Sequence, residues 1–457
     1  MSRSCILGLV VLLLVPLGAN AQEKTPLRIC LFQVDATPPL GSALCDGLVQ
    51  PAKTIDDPLS ARGIILLSGQ KPIVLCAFDW VGIGNSGHDA FREALAKSVG
   101  TSVERVAVHA LHQHDAPGCD FAAEEILKKE GLSGAAFNPE FARTMIERVS
   151  AAAKSSMKKP INITHIGLGV GIVEKVASNR RILGDDGKLK FGRMSSCRNS
   201  QAIAAPEGVI DNKLRLISFW DGKTPITSLT YYATHPQSYY GRGAVSADFV
   251  GLARKLREAA LPKIRHMHFN GAGGNVAAGK YNDGSEGRRP ILAERLAKGM
   301  KVAWENQTKH AVTAADVAWD VVSVSLPTRD LLVEETLLER LRDKKLKTRE
   351  RVRAARDLAF LHRMKSGKTI DISRLTIGPA TVIHMPGELF IEYQLAAQKM
   401  KPKDFVAMAA YGDYGPGYIG TKISYPQGGY EVSRVSRVDP EVEAVLMGAM
   451  RKLLVGK

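Results

Sequence analysis

The chain contains no C-x-x-C pair, no internal repeat and no low-complexity tract. With Cys5 set aside in an N-terminal leader, Cys30, Cys45, Cys76, Cys119 and Cys197 remain. An odd number cannot all pair within one chain, so this is not a disulfide scaffold. Cys30 and Cys45 are the candidate bridge if the protein reaches an oxidising compartment, while Cys76, inside an apolar run, reads as a small buried hydrophobe. Nor does the chain carry a G-x-S-x-G elbow, an H-E-x-x-H pair or a G-x-x-x-x-G-K-[ST] loop. Their absence disfavours a serine hydrolase, a helix-based zinc protease and a nucleotide-binding protein.

Beyond the first residues, no apolar stretch approaches transmembrane length. The first residues themselves read as a secretory signal. Arg3 gives a positive start, residues 6–17 an apolar run, and Ala19-Asn20-Ala21 a small-x-small cleavage site. The expectation is a signal peptide over 1–21 and a mature domain over 22–457, secreted or periplasmic. A composition of 45% hydrophobic and 24% charged residues is that of an ordinary globular protein.

The formal net charge of +16 raises nucleic acid and anionic membranes as partners. No RNA- or DNA-binding motif accompanies the charge, so no nucleic-acid partner is expected. Much of the excess lies in residues 334–368, where leucines recur with partial helical periodicity. That run reads as a solvated helix with one buried stripe. The sharper alternative is transient contact with an anionic membrane surface.

Helical and strand patterns alternate along most of the chain. Residues 72–80 (PIVLCAFDW) form a nearly continuous apolar run, as a strand buried on both faces would. Further strands are expected at 105–111, 163–170, 213–220, 225–233, 264–269, 312–326, 376–384 and 404–409. Helices are expected at 88–99, 138–157, 249–260, 291–305, 389–400 and 440–454, the second opening on an Asn138 cap with Pro139 at the first helical position. The alternation indicates an α/β, or mixed α+β, fold of layered sheets and helices, with no convincing linker.

Polar residues gather where strands end. HALHQHDAPG (109–118) follows a strand, and His112 and His114, two apart, would point the same way in extended backbone. Imidazole is a common zinc ligand. His235, in YYATHPQS, closes another apolar strand before Pro236. Glu388, in IHMPGELF, follows a strand and opens a helix, where its carboxylate could simply answer the helix dipole. The glycines of NGAGGNVAAG (270–279) read as permitting close backbone approach to the site. Taken alone, these residues indicate a candidate metal hydrolase and no more.

At these positions the chain resembles the neutral (alkaline, non-lysosomal) ceramidase family. VDATPP (34–39) resembles the family's D-x-T-x-P opening, LSARGIILLSG (59–69) its R-A-x-x-L stretch and CAFDW (76–80) its strand ending in Asp. LHQHDAPG (111–118) is similar to T-H-T-H-S-G-P-G, SNRR (178–181) to N-R-S-P, and the strand end at His235 to H-G-T or H-A-T. DFVG (248–251) resembles G-D-x-x-G, GNV (274–276) G-D-V, and MPGE (385–388) P-G-E; residues 411–431 resemble the tyrosine-rich Y-x-x-Y-x-T-x-x-E-Y-x-x-Q-x-Y-E. By that resemblance His112, His235, Glu388 and Tyr425 would hold one zinc ion, which lowers the pKa of bound water towards about 7 and polarises a carbonyl. His114 would pass a proton to the leaving amine, and Arg180 would bind the developing oxyanion or orient the amide.

The departures fall on other groups. Ala277 stands where the family has Ser in G-D-V-S-P, and Asn275 replaces its Asp. Asp115 replaces the Ser of the histidine motif, free to orient His114 or to face solvent. Arg437 lies near the place of an expected tyrosine, and the family's C-terminal immunoglobulin-like domain has no counterpart in this sequence. The leading expectation is an exported zinc-dependent amidohydrolase cleaving an N-acyl bond, with a ceramide-like lipid as first candidate substrate. Its alternatives are a zinc-dependent esterase, lactonase or non-ceramide amidase, and a non-catalytic binding protein on the same scaffold.

Overall fold

Three sheets, each containing a single parallel pair of strands, organise residues 25–456, which the computed structural model describes. The expected signal segment, 1–21, lies outside them. The first sheet is formed by β1 (Leu27–Asp35), β2 (Ser60–Leu67), β3 (Ile73–Phe78), β4 (Val106–Ala110) and β5 (Ile161–Ile163), in the order β4-β3-β2-β1-β5. Only β3 and β4 run parallel, joined through helix α1 (Asn85–Val99). Along β3, Val74, Cys76 and Phe78 enter one apolar core while Ile73, Leu75 and Ala77 enter another. A strand covered on both faces has no polar face to show, which explains the unbroken apolar run. Helix α2 (Pro139–Ser156) begins as expected, with Asn138 Oδ1 accepting from the Phe141 amide at 3.0 Å, and buries Ala142, Met145, Val149 and Ala153.

The second sheet contains β6 (His165–Ile172), β7 (Lys213–Asp221), β8 (Thr224–Tyr232), β9 (Arg265–Asn270) and β10 (Thr308–Ala311), ordered β9-β8-β7-β6-β10. Here β8 and β9 are the parallel pair, with α3 (Asp248–Ala260) in the crossover. Helix α4 (Arg288–Glu305) lies directly on the backbone of β6. A Cβ on Gly169 or Gly171 would stand 1.8 Å from the Ala303 carbonyl oxygen or 2.1 Å from that of Gly299, so only glycine permits this packing.

The third sheet runs β11 (Val317–Val324), β12 (Ile370–Ile377), β13 (Ala380–His384), β14 (Phe405–Ala409) in spatial order, with β13 and β14 parallel. Between β11 and β12 come α5 (Glu334–Arg342) and α6 (Thr348–Lys365); α7 (Ile391–Met400) joins β13 to β14, and α8 (Val442–Val455) ends the described chain. The expected strand at 376–384 is in fact a hairpin that turns at Gly378, whose φ is +53°. The segment 312–326 holds β11 alone, after a short turn that follows β10. Strands β1 and β2 lie where periodicity by itself had suggested no element.

The basic run departs furthest from expectation. It forms two helices rather than one, and α6 is buried on several sides, with Arg351, Val352, Ala355, Leu358, Phe360 and Arg363 all enclosed. Three of its arginines find partners inside the fold: Arg351 Nε donates to the Leu341 carbonyl at 2.6 Å, Arg356 pairs with Asp46 at 2.6 Å, and Arg363 with Asp89 at 2.6 Å. Those acids come from distant parts of the chain, so periodicity within the run could not reveal them. Phe360→Ala is expected to destabilise the protein by about 3–5 kcal/mol, the usual cost of emptying a buried aromatic site. Chemical denaturation would measure it, and an unchanged midpoint would mean that α6 is not part of the core.

All five cysteines of the described chain are free, so the candidate Cys30–Cys45 bridge is not formed. Among the described residues no helix is long and apolar enough to cross a membrane. The carboxyl ends of the three parallel pairs (Phe78 and Ala110, Tyr232 and Asn270, His384 and Ala409) each lead into loops that carry the polar residues singled out above.

Candidate metal centre

His112 leaves the end of β4 with its amide donating to the Trp80 carbonyl at 2.8 Å and a φ of +70°. A non-glycine residue in the left-handed region costs about 1–3 kcal/mol and is retained where the surroundings require it. The turn directs the ring inward while Nδ1 donates to the Val81 carbonyl at 2.7 Å. His112 and His114 do end up together, their rings 4.9 Å apart, but through this turn and not through extended backbone. His235, beyond β8, bonds its amide to the Val276 carbonyl at 2.9 Å and its Nδ1 to the Gly273 carbonyl at 2.6 Å. Glu388, beyond β13, belongs to a two-residue parallel ribbon in which Glu388–Leu389 pairs with Tyr418–Ile419. Gly274 lets the glycine-rich loop press against it, since a Cβ there would stand 2.2 Å from the Glu388 carbonyl oxygen.

The donor set fits a cation. A backbone carbonyl can only accept, so Nδ1 of both histidines must carry the proton, which leaves a lone pair on each Nε2. Glu388 Oε2 lies 3.1 Å from His112 Nε2 and 3.0 Å from His235 Nε2. The three side chains are almost fully buried, and their ligand atoms lie within 4.8 Å of one another. Three electron-rich atoms this close in a dry site repel unless a positive charge sits among them, and carbonyl-anchored imidazoles are the usual way of aiming metal ligands. The other oxygen of Glu388 accepts from the Tyr414 hydroxyl at 2.8 Å. Glu388 does not cap α7, the alternative raised by its position. That role falls to Asn275, whose Oδ1 accepts from the Ile391 amide at 2.8 Å.

The tyrosine of the expected ligand set is displaced. Tyr425 lies in a short helical turn, its hydroxyl donating to the Val438 carbonyl at 2.9 Å, and takes no part in the cluster. Tyr418 lies beside the cluster instead, its hydroxyl 3.0 Å from His235 Nε2, because ribbon pairing sets it directly opposite Glu388. Burial raises the Tyr418 hydroxyl well above its ordinary value, against the opposing charge of Arg180. Tyr411 and Tyr414, part of the tyrosine-rich segment, were not singled out as site residues in the sequence. The Tyr411 ring stacks on His112 at 4.9 Å, and its own φ is +60°. Tyr418→Phe is expected to weaken metal affinity by about 10–100-fold, as loss of a metal-site partner typically does, whereas Tyr425→Phe leaves it unchanged. A chelator competition assay on both variants measures this, and the reverse ranking would restore Tyr425.

Arg180 is held by the short ribbon of residues 178–179 with 276–277, and its amide donates to the Asn275 carbonyl at 2.7 Å. It is buried. Nη1 lies 3.2 Å from His235 Nε2 and 3.1 Å from the Tyr418 hydroxyl, and Nε lies 3.0 Å from Glu431. Ala277 is fully buried in that ribbon, with its carbonyl accepting from Ser178. His114 is half-buried, its Nε2 3.4 Å from His112 Nε2 and its ring against the edge of Tyr240. Burial pushes the His114 imidazole well below its ordinary value, so it is neutral at pH 7. Asp115 neither orients His114 nor faces solvent: it is buried and accepts from the Gly241 amide at 2.8 Å. Arg437, near the place of the expected tyrosine, ties Asp357 of α6 to the Gly415 carbonyl at 2.7 and 3.0 Å. A cavity of about 530 Å³ opens beside the cluster, with His114, Arg180, Tyr240 and Tyr418 in its wall.

No protein-family model matches the chain, and no curated protein is significantly similar to it in sequence. Among solved structures, it superposes on the neutral ceramidase from Pseudomonas aeruginosa with a TM-score of 0.68 and 16% identity, over 95% of this chain and 75% of that one. A structure described as ceramidase complexed with C2 gives the same TM-score at 15% identity, over 94% of this chain and 75% of that one. The chain therefore has the neutral ceramidase fold, at low sequence identity.

Proposed function

We propose that this chain is an exported, zinc-dependent amidohydrolase that cleaves an N-acyl bond, with a ceramide-like lipid amide as first candidate substrate. The observation that carries this reading is the convergence of His112, His235 and Glu388 beside a cavity whose wall bears His114 and Arg180. The shared fold with ceramidase structures supports it. When bound, zinc would supply a Lewis acid for the carbonyl and lower the pKa of a nearby water towards about 7.

The remaining work belongs to the chain's own side chains. Neutral His114 takes a proton from the attacking water and returns it to the amide nitrogen as the C–N bond breaks, so the amine leaves uncharged. Arg180 keeps its positive charge, since Tyr418 and Glu431 outweigh the effect of burial. From the cavity wall it steadies negative charge developing on the carbonyl oxygen. Tyr414 and the two backbone carbonyls on Nδ1 fix the orientations of Glu388 and the histidines.

A second reading has a specific observation in its favour. Ser195, Ser196, Gln237, Ser238 and Arg242 make part of the cavity wall polar, which suits a substrate more polar than ceramide and an amidase, esterase or lactonase acting on it. The purified protein, loaded with zinc, should release product from a fluorogenic short-chain ceramide. Turnover of simple esters with the ceramide left intact would replace the amidase reading, and protein that takes up no stoichiometric zinc would point to a binding function. Export predicts a mature N-terminus at Gln22, which mass spectrometry of the exported fraction would reveal; an intact Met1 there would refute cleavage.

A further inference from the structure

A second, smaller cavity of about 50 Å³ touches the cluster through Glu388 and Tyr414. It shares with the larger cavity only Tyr418 and Tyr430, so those two rings stand between them. Its wall is strongly cationic, with Arg353, Arg356, Arg434 and Arg437 set against the carboxylates Asp46 and Glu388. Asp46 is engaged by Arg356 at 2.6 Å, and Arg437 is engaged at 2.7 Å by Asp357, which does not line the cavity. Glu388 belongs to the metal cluster. Partly buried Arg353 and solvent-exposed Arg434 therefore have no carboxylate partner among the described residues.

Guanidinium groups lining one small cavity are suited to recognising a carboxylate or an oxyanion of sulfur or phosphorus. Size narrows the choice. A water needs roughly 10–15 Å³ of such space, so about 50 Å³ admits a group of a few heavy atoms and no acyl chain. Arg353 and Arg356 both come from α6, the helix whose charge looked in the sequence like a solvated or membrane-facing surface. Part of that charge is instead aimed at the back of the metal centre.

We infer that this cavity is a subsite for a small anionic group, of carboxylate or sulfate size, carried by the substrate on one side of the bond to be cleaved. The inference rests on the hydrolase reading for the word substrate, but the anion site itself does not. Arg353 and Arg434 are its binding residues, and the Tyr418–Tyr430 pair separates the anionic group from the remainder of the substrate in the larger cavity.

Two measurements on the full-length mature protein test it. Inorganic sulfate is titrated calorimetrically at constant ionic strength against wild type, the double variant Arg353→Ala/Arg434→Ala, and a control, Arg451→Ala, on the remote helix α8. Wild type and control should bind alike, and the double variant should bind about tenfold more weakly or not at all, as expected when charge-assisted contacts are lost. In parallel, kcat/KM is compared for two matched short N-acyl amines, one neutral and one bearing a carboxylate. The preference for the anionic member should fall in the double variant. Equal sulfate binding by all three proteins, or none by wild type, overturns the subsite even if both amides are hydrolysed. Arginine-dependent sulfate binding without hydrolysis of either amide leaves the anion site standing and removes the hydrolase.

Discussion

Glu388→Gln is expected to strip the protein of stoichiometric zinc and to abolish turnover while leaving the fold intact. The substitution preserves shape and removes the negative charge that faces both imidazole lone pairs at 3.0–3.1 Å. Metal affinity should fall by more than the ~10–100-fold that loss of an outer partner costs, because a direct ligand is involved. Folding need not suffer: an amide NH2 can donate to His112 or His235 Nε2, so no new unsatisfied group is buried in the metal-free protein. Elemental analysis and a thermal melt distinguish these effects. A variant that keeps zinc and near wild-type turnover would show the ligand set to be wrong, and one that fails to fold would show Glu388 to be structural. The companion His112→Ala should lose zinc as well, for the same reason.

His114→Ala separates chemistry from metal binding. The imidazole sits beside the cluster without entering it and lines the cavity. The variant should retain stoichiometric zinc and a wild-type melt, yet lose about 10²–10⁴-fold in kcat, the range for removal of a general acid–base group. KM should change far less, since the lost contact acts chiefly on the proton in flight. The loss should be smallest with substrates whose leaving group needs no proton, such as an activated ester. A uniform loss on amides and activated esters alike would leave His114 as the base for the attacking water and assign the amine's proton to another group.

Much of the fold was open to reading along the chain. The Asn138-Pro139 helix start, the run of 72–80 and the alternation of helices with strands all depend on local pattern, and the structure bears them out. What local pattern missed has a common cause. The basic run was misread because the partners of Arg351, Arg356 and Arg363 lie on other elements, as far away in sequence as Asp46 and Asp89. Tyr418 and Tyr425 are equivalent as letters in one loop; only the pairing of Tyr418 against Glu388 distinguishes them. Tyr411 and His112 adopt left-handed backbone that neither residue type announces.

By itself the sequence determined which residues had metal-binding chemistry and that each would stand at a strand end, because apolar period and chain-breaking residues act over a few positions. Tertiary structure alone decided that three parallel pairs, one in each of three sheets, end at the same place. The candidate ligands are residues 112, 235 and 388, and the packing of separate sheets around shared cores, not any local preference, closes the distances between them. The same packing chose Tyr418 and turned Arg351, Arg356 and Arg363 of α6 inward, since burying a charge is tolerable only where the rest of the fold supplies its partner.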